Sequence, residues 1–470
     1  MNHEATYLNR RSAITVGTAT TLTAKSLLAQ DSLQKTAVAP AIRSDVSVLL
    51  PRDRVPVSFV IDDSTCLVNM GHFCNPQFAT AYPDREEYKQ PWQTWPREIP
   101  DAFVREFGEW CADNGVKGKY SIVPYPACVG WLDRELPGWT RGQLQDSLKL
   151  VRELMAPHWD IHPEMITHTR VIDLKSGRPF AEISKATMEN SYPQEKKSVD
   201  ELAAYLAYAL RILKNCDLPC EGITTPGGFG NAVKQALPIA VHQAVRDVFG
   251  SELPHYFKYV EMGGQTEPKL EALSGLDSND PQVTANVPAG TSDWFGGWQG
   301  VQTVQRDRYL SLDGQTGRMA DLIRGKQPAV MLCHWPGMYN NGTKEGFHAF
   351  QSIVRTIRSV YGDQTIWMKL SEIGRYWTAK QLTKIERTEN TVKMVSPFAT
   401  NHFTIEIART TNQNVQVNLL LKHQSETHRL KQVTDLKALD TNTFIVNDKS
   451  IKACFYLNKG DSSLSLAGEQ

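Results

Sequence analysis

The chain has 470 residues, and its 51 lysines and arginines balance its 51 aspartates and glutamates, so the formal net charge is zero. Without a basic surplus the protein has no general electrostatic hold on phosphates, which argues against a nucleic-acid partner. Hydrophobic residues make up 41% of the chain. This share excludes a wholly disordered protein and is enough for a sizeable core, and the length suggests about two to four domains, or one large barrel with a smaller unit.

The first predicted element is a targeting segment. Residues 9–12 (NRRS) precede a mild apolar stretch rich in alanine and threonine, and Ala29 ends a candidate cleavage site. This pattern is typical of a twin-arginine export signal of bacteria. Lys25 interrupts the stretch, which is shorter than the roughly 20 strongly apolar residues of a membrane span. We therefore expect a signal peptide at 1–30, a linker at 31–49, no integral membrane segment, and an exported protein, periplasmic or secreted.

The eight cysteines give no metal or redox motif, because none of them shows CxxC spacing. In an exported protein the local pairs Cys66/Cys74 and Cys216/Cys220 are options for disulfides. Buried free thiols are the favoured interpretation for most of the eight, since free cysteine packs as a small hydrophobic residue.

Strands and helices are predicted to alternate from residue 56 to residue 377. Short apolar runs rich in β-branched residues predict strands at 56–61, 120–123, 165–169, 222–225, 256–260, 329–333 and 366–370. Apolar stripes with capping or stop signals predict helices at 101–113, 141–156, 199–213, 231–249, 346–361 and 371–377. The segment 263–325 is rich in loops. The alternation favours a parallel sheet covered by helices, closed into a barrel or near-barrel, with a doubly wound open sheet as the alternative.

After about residue 380 the pattern changes to short strands separated by polar turns. Strand-like runs occur at 391–395, 403–407, 415–421, 444–446 and 453–457. No helical periodicity interrupts them, which predicts a small β-sandwich over 379–470. Carbohydrate binding and a purely structural role are both open for this part.

Polar residues follow several of the predicted strands. Asp62 and Asp63 end the first strand, His168 lies in the third, Pro226 follows the fourth and His334 follows the strand at 329–333. The carboxyl ends of parallel strands form the reactive face of such folds. Each residue alone is weak evidence, but four strands that deliver acids, histidines and a Pro-Gly turn to one face predict an active site.

Over residues 55–375 the sequence resembles the polysaccharide deacetylases (NodB homology, carbohydrate esterase family 4). Five short segments stand in the order of that family's motifs: Asp62-Asp63, His168-Thr169, Thr225-Pro226-Gly227, Ser292-Asp293-Trp294 and Leu332-Cys333-His334. The resemblance implies an α/β fold, a distorted (β/α) barrel, at 50–378. By the same resemblance Asp62 is the catalytic base, His334 is the general acid, and Asp63 and His168 are ligands of a divalent metal, with zinc expected.

Two positions depart from the family pattern. Ile172 stands where a second metal-binding histidine is expected, and Thr224 stands where the family has the arginine that orients the catalytic base. A catalytic zinc normally has three protein ligands and an open position. The third ligand therefore has to come from another part of the chain.

Two loop residues are candidates for the third metal ligand. Asp173 lies five residues after His168, in a loop that can fold back, and is favoured over His72. His162 is set aside because one extended strand over 162–168 would hold it about 20 Å from His168, at ~3.3 Å per residue.

The sequence thus predicts an exported, metal-dependent hydrolase that removes acyl groups from a carbohydrate. A non-catalytic carbohydrate-binding protein on a degenerate barrel is the first alternative, and a glycoside hydrolase with paired carboxylates is the second. Nucleotide binding is not expected, because Gly228-Phe229-Gly230 lacks the third glycine of the dinucleotide motif. No G-x-S-x-G segment is present, which argues against a serine hydrolase.

Overall fold

The computed structural model describes residues 45–409 and 417–468. Within these ranges the strands are β1 (Val46–Val48), β2 (Val55–Asp62), β3 (Gly118–Ile122), β4 (Trp159–Pro163), β5 (Ile172–Asp173), β6 (Arg178–Pro179), β7 (Gly222–Thr224), β8 (His255–Phe257), β9 (Lys269–Ser274), β10 (Gln282–Asn286), β11 (Ala329–His334), β12 (Thr365–Trp367), β13 (Lys384–Thr388), β14 (Thr391–Ser396), β15 (Thr400–Ala408), β16 (Val417–His423), β17 (Glu426–Arg429), β18 (Lys431–Gln432), β19 (Thr443–Val446), β20 (Ser450–Leu457) and β21 (Gly460–Gly468). The α-helices are α1 (Met70–Ala81), α2 (Asp101–Asp113), α3 (Arg141–Leu150), α4 (Val199–Asn215), α5 (Leu237–Phe249), α6 (Arg306–Tyr309), α7 (Arg318–Arg324), α8 (Trp335–Tyr339), α9 (Glu345–Tyr361) and α10 (Leu370–Leu382).

Seven parallel strands position the site. In one sheet β2 lies between β11 and β3, and β4 follows β3. In a second sheet β8 lies between β7 and β10. A bridge between Glu164 and Thr224 joins β4 to β7, and the Gly290 amide, after β10, donates to the Val330 carbonyl of β11 at 2.8 Å. The order of the parallel strands is therefore β11-β2-β3-β4-β7-β8-β10, with β10 again beside β11.

Local signals in the sequence explain several of these elements. The Thr140 and Gln143 side chains form a capping box at the start of α3, and Ser198 and Glu201 form one at the start of α4. All eight residues of β2 are buried, as expected for a parallel strand that is covered on both faces. The structure confirms the predicted α/β class for this part of the chain.

After α10 the described chain forms strands in two five-stranded sheets. One sheet has the order β1-β15-β20-β19-β18 and the other has the order β13-β14-β21-β16-β17. Residues 46–48, at the end of the predicted linker, form β1 and pair with β15. The domain boundary expected at 378–379 falls inside α10, where the Tyr376 hydroxyl donates to the Leu49 carbonyl at 2.9 Å. Only Thr383 separates the end of α10 from β13, the first of the strands that follow it.

The predicted strand over 165–169 is wrong. The extended segment is β4, which ends at Pro163, and a tight loop follows it. Met165 and His168 have φ values of 50° and 62°, which no extended strand can accommodate. His162 and His168 consequently do not belong to one extended segment. The segment 263–325, which the sequence describes as loop-rich, contains β9, β10, α6 and α7.

Other sequence predictions have different outcomes. All eight cysteines are free, and seven of them are buried, which confirms the favoured interpretation. Among the described residues no helix is long and apolar enough to cross a membrane. The predicted signal peptide at 1–30 lies outside the described residues.

Candidate metal centre and acid–base groups

The carboxyl ends of three strands of one sheet, β11, β2 and β4, bring the candidate residues together. Asp62 is the last residue of β2 and stands in register with His334, the last residue of β11. Asp63 follows directly, and its backbone amide donates to Glu164 Oε2 at 2.7 Å. Glu164 is the first residue after β4. Sequence order alone hides this contact, since residues 63 and 164 are 101 positions apart.

Asp63, Glu164 and His168 form a buried cluster of metal-ligating side chains. His168 Nε2 lies 2.8 Å from Asp63 Oδ1 and 3.4 Å from Glu164 Oε1. The three ligand atoms all lie within 4.8 Å of one another. Asp63 Oδ2 is buried without a hydrogen-bond partner. Two carboxylates and one imidazole are a donor set that suits zinc, so these residues fit a divalent metal.

The negative charges of the two carboxylates in this cluster also favour the binding of a cation. Burial lowers the pKa of His168, but the charge and hydrogen bond of Asp63 outweigh burial and raise that pKa well above its ordinary value. Burial disfavours the charged form of Glu164, yet the hydrogen bond and charge of His168 hold the pKa of Glu164 at about 2. A proton on the imidazole therefore offsets one of the two negative charges, whereas a divalent ion bound to the neutral imidazole would offset both.

Glu189 holds the loop that presents His168. Its buried carboxylate accepts hydrogen bonds from the backbone amides of Ile166, Thr167 and His168, at 3.2, 3.0 and 2.6 Å. The Tyr205 hydroxyl donates to the same carboxylate at 2.6 Å. Four donors on one side chain fix the backbone of residues 166–168, including the positive φ of His168. The ligand is thus placed by a buried side chain 21 residues further along the chain.

Asp62 lies beside the cluster and is paired with a buried lysine. The Lys119 ammonium donates to Asp62 Oδ1, to the Ile61 carbonyl at 3.0 Å and to Ser121 Oγ at 2.7 Å. Lys119 is fully buried, and Asp62 is 6% exposed. Burial and the charge of Glu164 raise the pKa of Asp62 to about 6, against the opposing charge of Lys119. A carboxylate with such a pKa can accept a proton near neutral pH.

His334 lies on the side of Asp62 opposite Lys119, and its side chain is paired with Asp293. Its Nδ1 lies 2.8 Å from Asp293 Oδ2, and its backbone amide donates to the same oxygen at 3.2 Å. Burial lowers the pKa of His334, but the Asp293 hydrogen bond and the nearby aspartate charges outweigh it and raise the pKa to about 9. The Asp293 contact takes Nδ1, so Nε2 is the nitrogen that can serve a substrate.

The structure places the predicted site residues in two groups. Asp62, Asp63, His168 and His334 meet at one face. Asp173 and His72 are not part of the cluster: the Asp173 carboxylate accepts from the Ser176 amide at 3.0 Å in an exposed turn. His72 Nδ1 lies 3.0 Å from the Trp95 carbonyl.

Sequence reasoning missed Glu164, Lys119 and Glu189. Glu164 stands four residues before His168, directly after the strand that ends at Pro163. An acid at the end of a strand was the available signal, but the strand was predicted in the wrong place. Lys119 lies inside a strand, where a lysine gives no sequence signal of its role.

Comparisons with known proteins establish no family. No family model matches the chain, and no curated protein matches it. Among solved structures, a mutant of a CE4 family pseudoenzyme with restored enzymatic activity is similar at 10% identity over 70% of each chain, with a TM-score of 0.28. Endo-glycoceramidase II from Rhodococcus sp. covers 90% of this chain and 99% of its own at 10% identity, with a TM-score of 0.29. The catalytic domain of GH30 xylanase C from Talaromyces cellulolyticus gives the same coverages at 9% identity, with a TM-score of 0.26.

Proposed function

We propose that the protein is an exported, metal-dependent hydrolase that removes acyl groups from a carbohydrate, on a distorted α/β barrel of the polysaccharide deacetylase type. The observation that carries the proposal is the convergence of a three-residue metal-ligating cluster with two acid–base groups of opposite roles. Asp62 and His334 end neighbouring strands, and Asp63 places the cluster directly beside them. Hydrolysis of an amide or ester needs these parts together.

Asp63, Glu164 and His168 are the residues that would hold the metal. A divalent ion bound there would supply Lewis acidity toward the carbonyl oxygen of the acyl group. A catalytic zinc has three protein ligands and an open position, so a metal held by these three side chains would have a position for water or substrate. Glu164 supplies the carboxylate that compensates for the histidine missing at position 172.

Asp62 is proposed as the base that takes a proton from the attacking water. Its raised pKa, about 6, leaves it ionised at neutral pH while keeping its affinity for a proton high. Lys119 holds Oδ1 of this carboxylate from inside the fold, so Oδ2 is the oxygen available to the water. Lys119 thereby supplies the positive partner that the family has as an arginine at the position of Thr224.

His334 is proposed as the acid that protonates the leaving nitrogen or oxygen of the sugar. Its pKa of about 9 keeps the ring charged at neutral pH. Asp293 fixes the ring through Nδ1, which leaves the Nε2 proton for the leaving group. Asp62 and His334 therefore hold opposite protonation states over the same pH range, as a base and an acid must.

Metal content and acetate release test the proposal together. Purified wild type is loaded with Zn²⁺, dialysed and analysed by mass spectrometry, and is then incubated with N-acetylated chito-oligosaccharides and with O-acetylated xylo-oligosaccharides. We expect bound zinc and released acetate, and we expect Asp62→Asn to retain zinc but to turn over about 10²–10⁴-fold more slowly. Folded wild type that holds no more zinc than the double variant Asp63→Ala with His168→Ala, and that releases no acetate, would leave a carbohydrate-binding protein as the better account. New reducing ends without acetate would indicate a glycoside hydrolase.

The proposed export is supported by residues 9–12, with their arginine pair, and by the apolar stretch that follows. Replacing Arg10 and Arg11 with lysine tests it, because twin-arginine transport depends on that pair. We expect the double-lysine precursor to remain inside bacterial cells, in a fractionation experiment, while the wild-type precursor is cleaved near Ala29 and exported. Export of both at the same rate would contradict the assignment.

A further inference from the structure

A second group of metal-ligating side chains lies beside the described centre. His162 Nε2 is 2.8 Å from His255 Nε2, and His255 Nε2 is 3.6 Å from Asp160 Oδ2. The three ligand atoms lie within 4.8 Å of one another. His162 is fully buried and His255 is 1% exposed, while the Asp160 side chain is 11% exposed. The proposed hydrolysis uses none of these groups.

A glycine of the neighbouring strand leaves space next to the Nε2 atoms of His162 and His255. Gly222, the first residue of β7, packs directly against the histidine pair. A Cβ atom at this position would lie 2.4 Å from His162 Nε2 and 2.7 Å from His255 Nε2. Any other residue at position 222 would therefore occupy the space next to both nitrogens. The glycine therefore leaves the space next to the two Nε2 atoms free of a side chain.

Neighbouring polar groups orient two of the three ligands toward the common point. His162 Nδ1 lies 3.3 Å from Thr224 Oγ1, and a proton on Nδ1 leaves the Nε2 lone pair for a ligand role. The Ser371 amide and hydroxyl both donate to the Asp160 carboxylate, at 2.7 Å each. Such outer contacts are the usual supports of metal-binding histidines and carboxylates.

We propose that Asp160, His162 and His255 bind one divalent transition-metal ion of the zinc class at a second, structural centre. Two imidazoles and a carboxylate select such an ion over Mg²⁺ or Ca²⁺, which prefer all-oxygen sites. Ligand atoms within 4.8 Å of one another let a single ion approach all three at about 2.0–2.2 Å. The ion would tie β4 to β8 across β7. An ion that binds only the folded chain stabilises it by mass action.

The test uses a variant in which the first centre is removed. Asp63→Ala with His168→Ala deletes two ligands of that centre and leaves the second cluster intact. After loading with Zn²⁺ and dialysis, we expect one zinc per chain by mass spectrometry and a higher Tm with zinc than after chelation. The same protein loaded with Co²⁺ is expected to show visible ligand-field absorption. Folded double variant with no bound zinc, and no cobalt spectrum, would overturn the proposal.

Further substitutions in that background locate the ion. His255→Gln and Asp160→Asn are each expected to remove the remaining zinc, whereas His348→Gln, at an exposed histidine on α9, is expected to retain it. Zinc that persists in both cluster variants would overturn the assignment. If the cluster variants do not fold, the cobalt spectrum of the double variant still decides the question. The zinc content of the double variant does not depend on catalysis. A failure of the proposed hydrolysis would therefore leave the result for the second centre unchanged.

Discussion

The fully buried Lys119 ammonium is bonded to the Asp62 carboxylate at the end of β2, and it also donates to the Ile61 carbonyl at 3.0 Å. The pair lies next to Glu164, whose negative charge disfavours ionisation of Asp62. Lys119 is therefore the cation that keeps a buried carboxylate ionised beside two other carboxylates. Its role in the proposed reaction is to position Asp62 and to sustain its charge.

Replacing Lys119 with methionine tests this role. We expect Lys119→Met to lower kcat by at least about tenfold with bound zinc retained, because Asp62 loses its charge partner while the metal ligands are untouched. The free energy of unfolding is expected to fall by about 3–5 kcal/mol, the usual cost of leaving a buried charge unpaired. Metal analysis, kinetics and urea denaturation check the three parts.

Two further variants separate charge from packing at this pair. Lys119→Arg keeps the positive charge and is expected to retain more activity than Lys119→Met. The double variant Lys119→Met with Asp62→Asn removes both charges, so we expect it to be less destabilised than the sum of the single variants. Additive losses would show that the contact between the two side chains contributes nothing to stability.

The metal ligands give a second prediction with internal controls. Glu164→Gln and His168→Gln are expected to abolish zinc binding at the first centre, because a remnant of two ligands leaves an ion mostly hydrated. Asp173→Asn and His72→Gln are expected to bind zinc as wild type does, since neither side chain lies in the cluster. Zinc stoichiometry after dialysis is the measurement. Loss of zinc in Asp173→Asn with retention in Glu164→Gln would reverse the assignment.

The contrast between these residues shows what the sequence could predict. Asp63 and His168 follow or accompany apolar runs, and such local patterns locate reactive residues near strand ends. Glu164 joins them only because β4 ends at Pro163 and the following loop turns through positive φ at Met165 and His168. Glu189 accepts the amides of residues 166–168 and so holds the turn at His168, and no local pattern contains this tertiary contact. The strand-like composition of residues 165–169 therefore predicted the wrong element.

The same limit applies to Lys119. The strand predicted at 120–123 begins directly after Lys119, but the partner of Lys119 is decided by the register of β3 against β2. Register depends on the packing of both strands with their neighbours. The predicted helices α3 and α4, by contrast, begin at capping boxes whose residues are three positions apart. Elements that depend on such short-range signals can be predicted from the sequence, whereas contacts between strands cannot.

Glu189 supplies a third prediction. Glu189→Gln replaces one acceptor oxygen with an amide donor, which faces either the Ile166 amide or the amides of Thr167 and His168, so at least one backbone amide loses its acceptor. We expect the loop to loosen and the affinity for zinc at the first centre to fall by about 10–100-fold, the usual effect of losing an outer-sphere contact. A competition titration with a chromophoric chelator measures the dissociation constant. Glu182→Gln, at an exposed residue of the same region, is the control, and equal affinities in the two variants would contradict the prediction.

The pH dependence of the reaction gives the last prediction. His334 acts as an acid, so activity requires its protonated form and is expected to fall as pH rises through about 9, the pKa that Asp293 helps to maintain. Asp293→Asn removes the negative charge that stabilises the imidazolium, which lowers the pKa of His334 toward its ordinary value of about 6.5. The alkaline limb of the pH profile of kcat/KM, which reports ionisations of the free enzyme, should therefore move to lower pH in this variant, and the loss of kcat/KM relative to wild type should be smallest at acidic pH. Asp307→Asn changes an exposed aspartate and should leave the limb in place. Among the contacts that the structure describes, no other partner of the His334 ring lies as close as Asp293 Oδ2, at 2.8 Å. An alkaline limb that is the same in wild type and Asp293→Asn would therefore show that the ionisation of His334 does not set this limb.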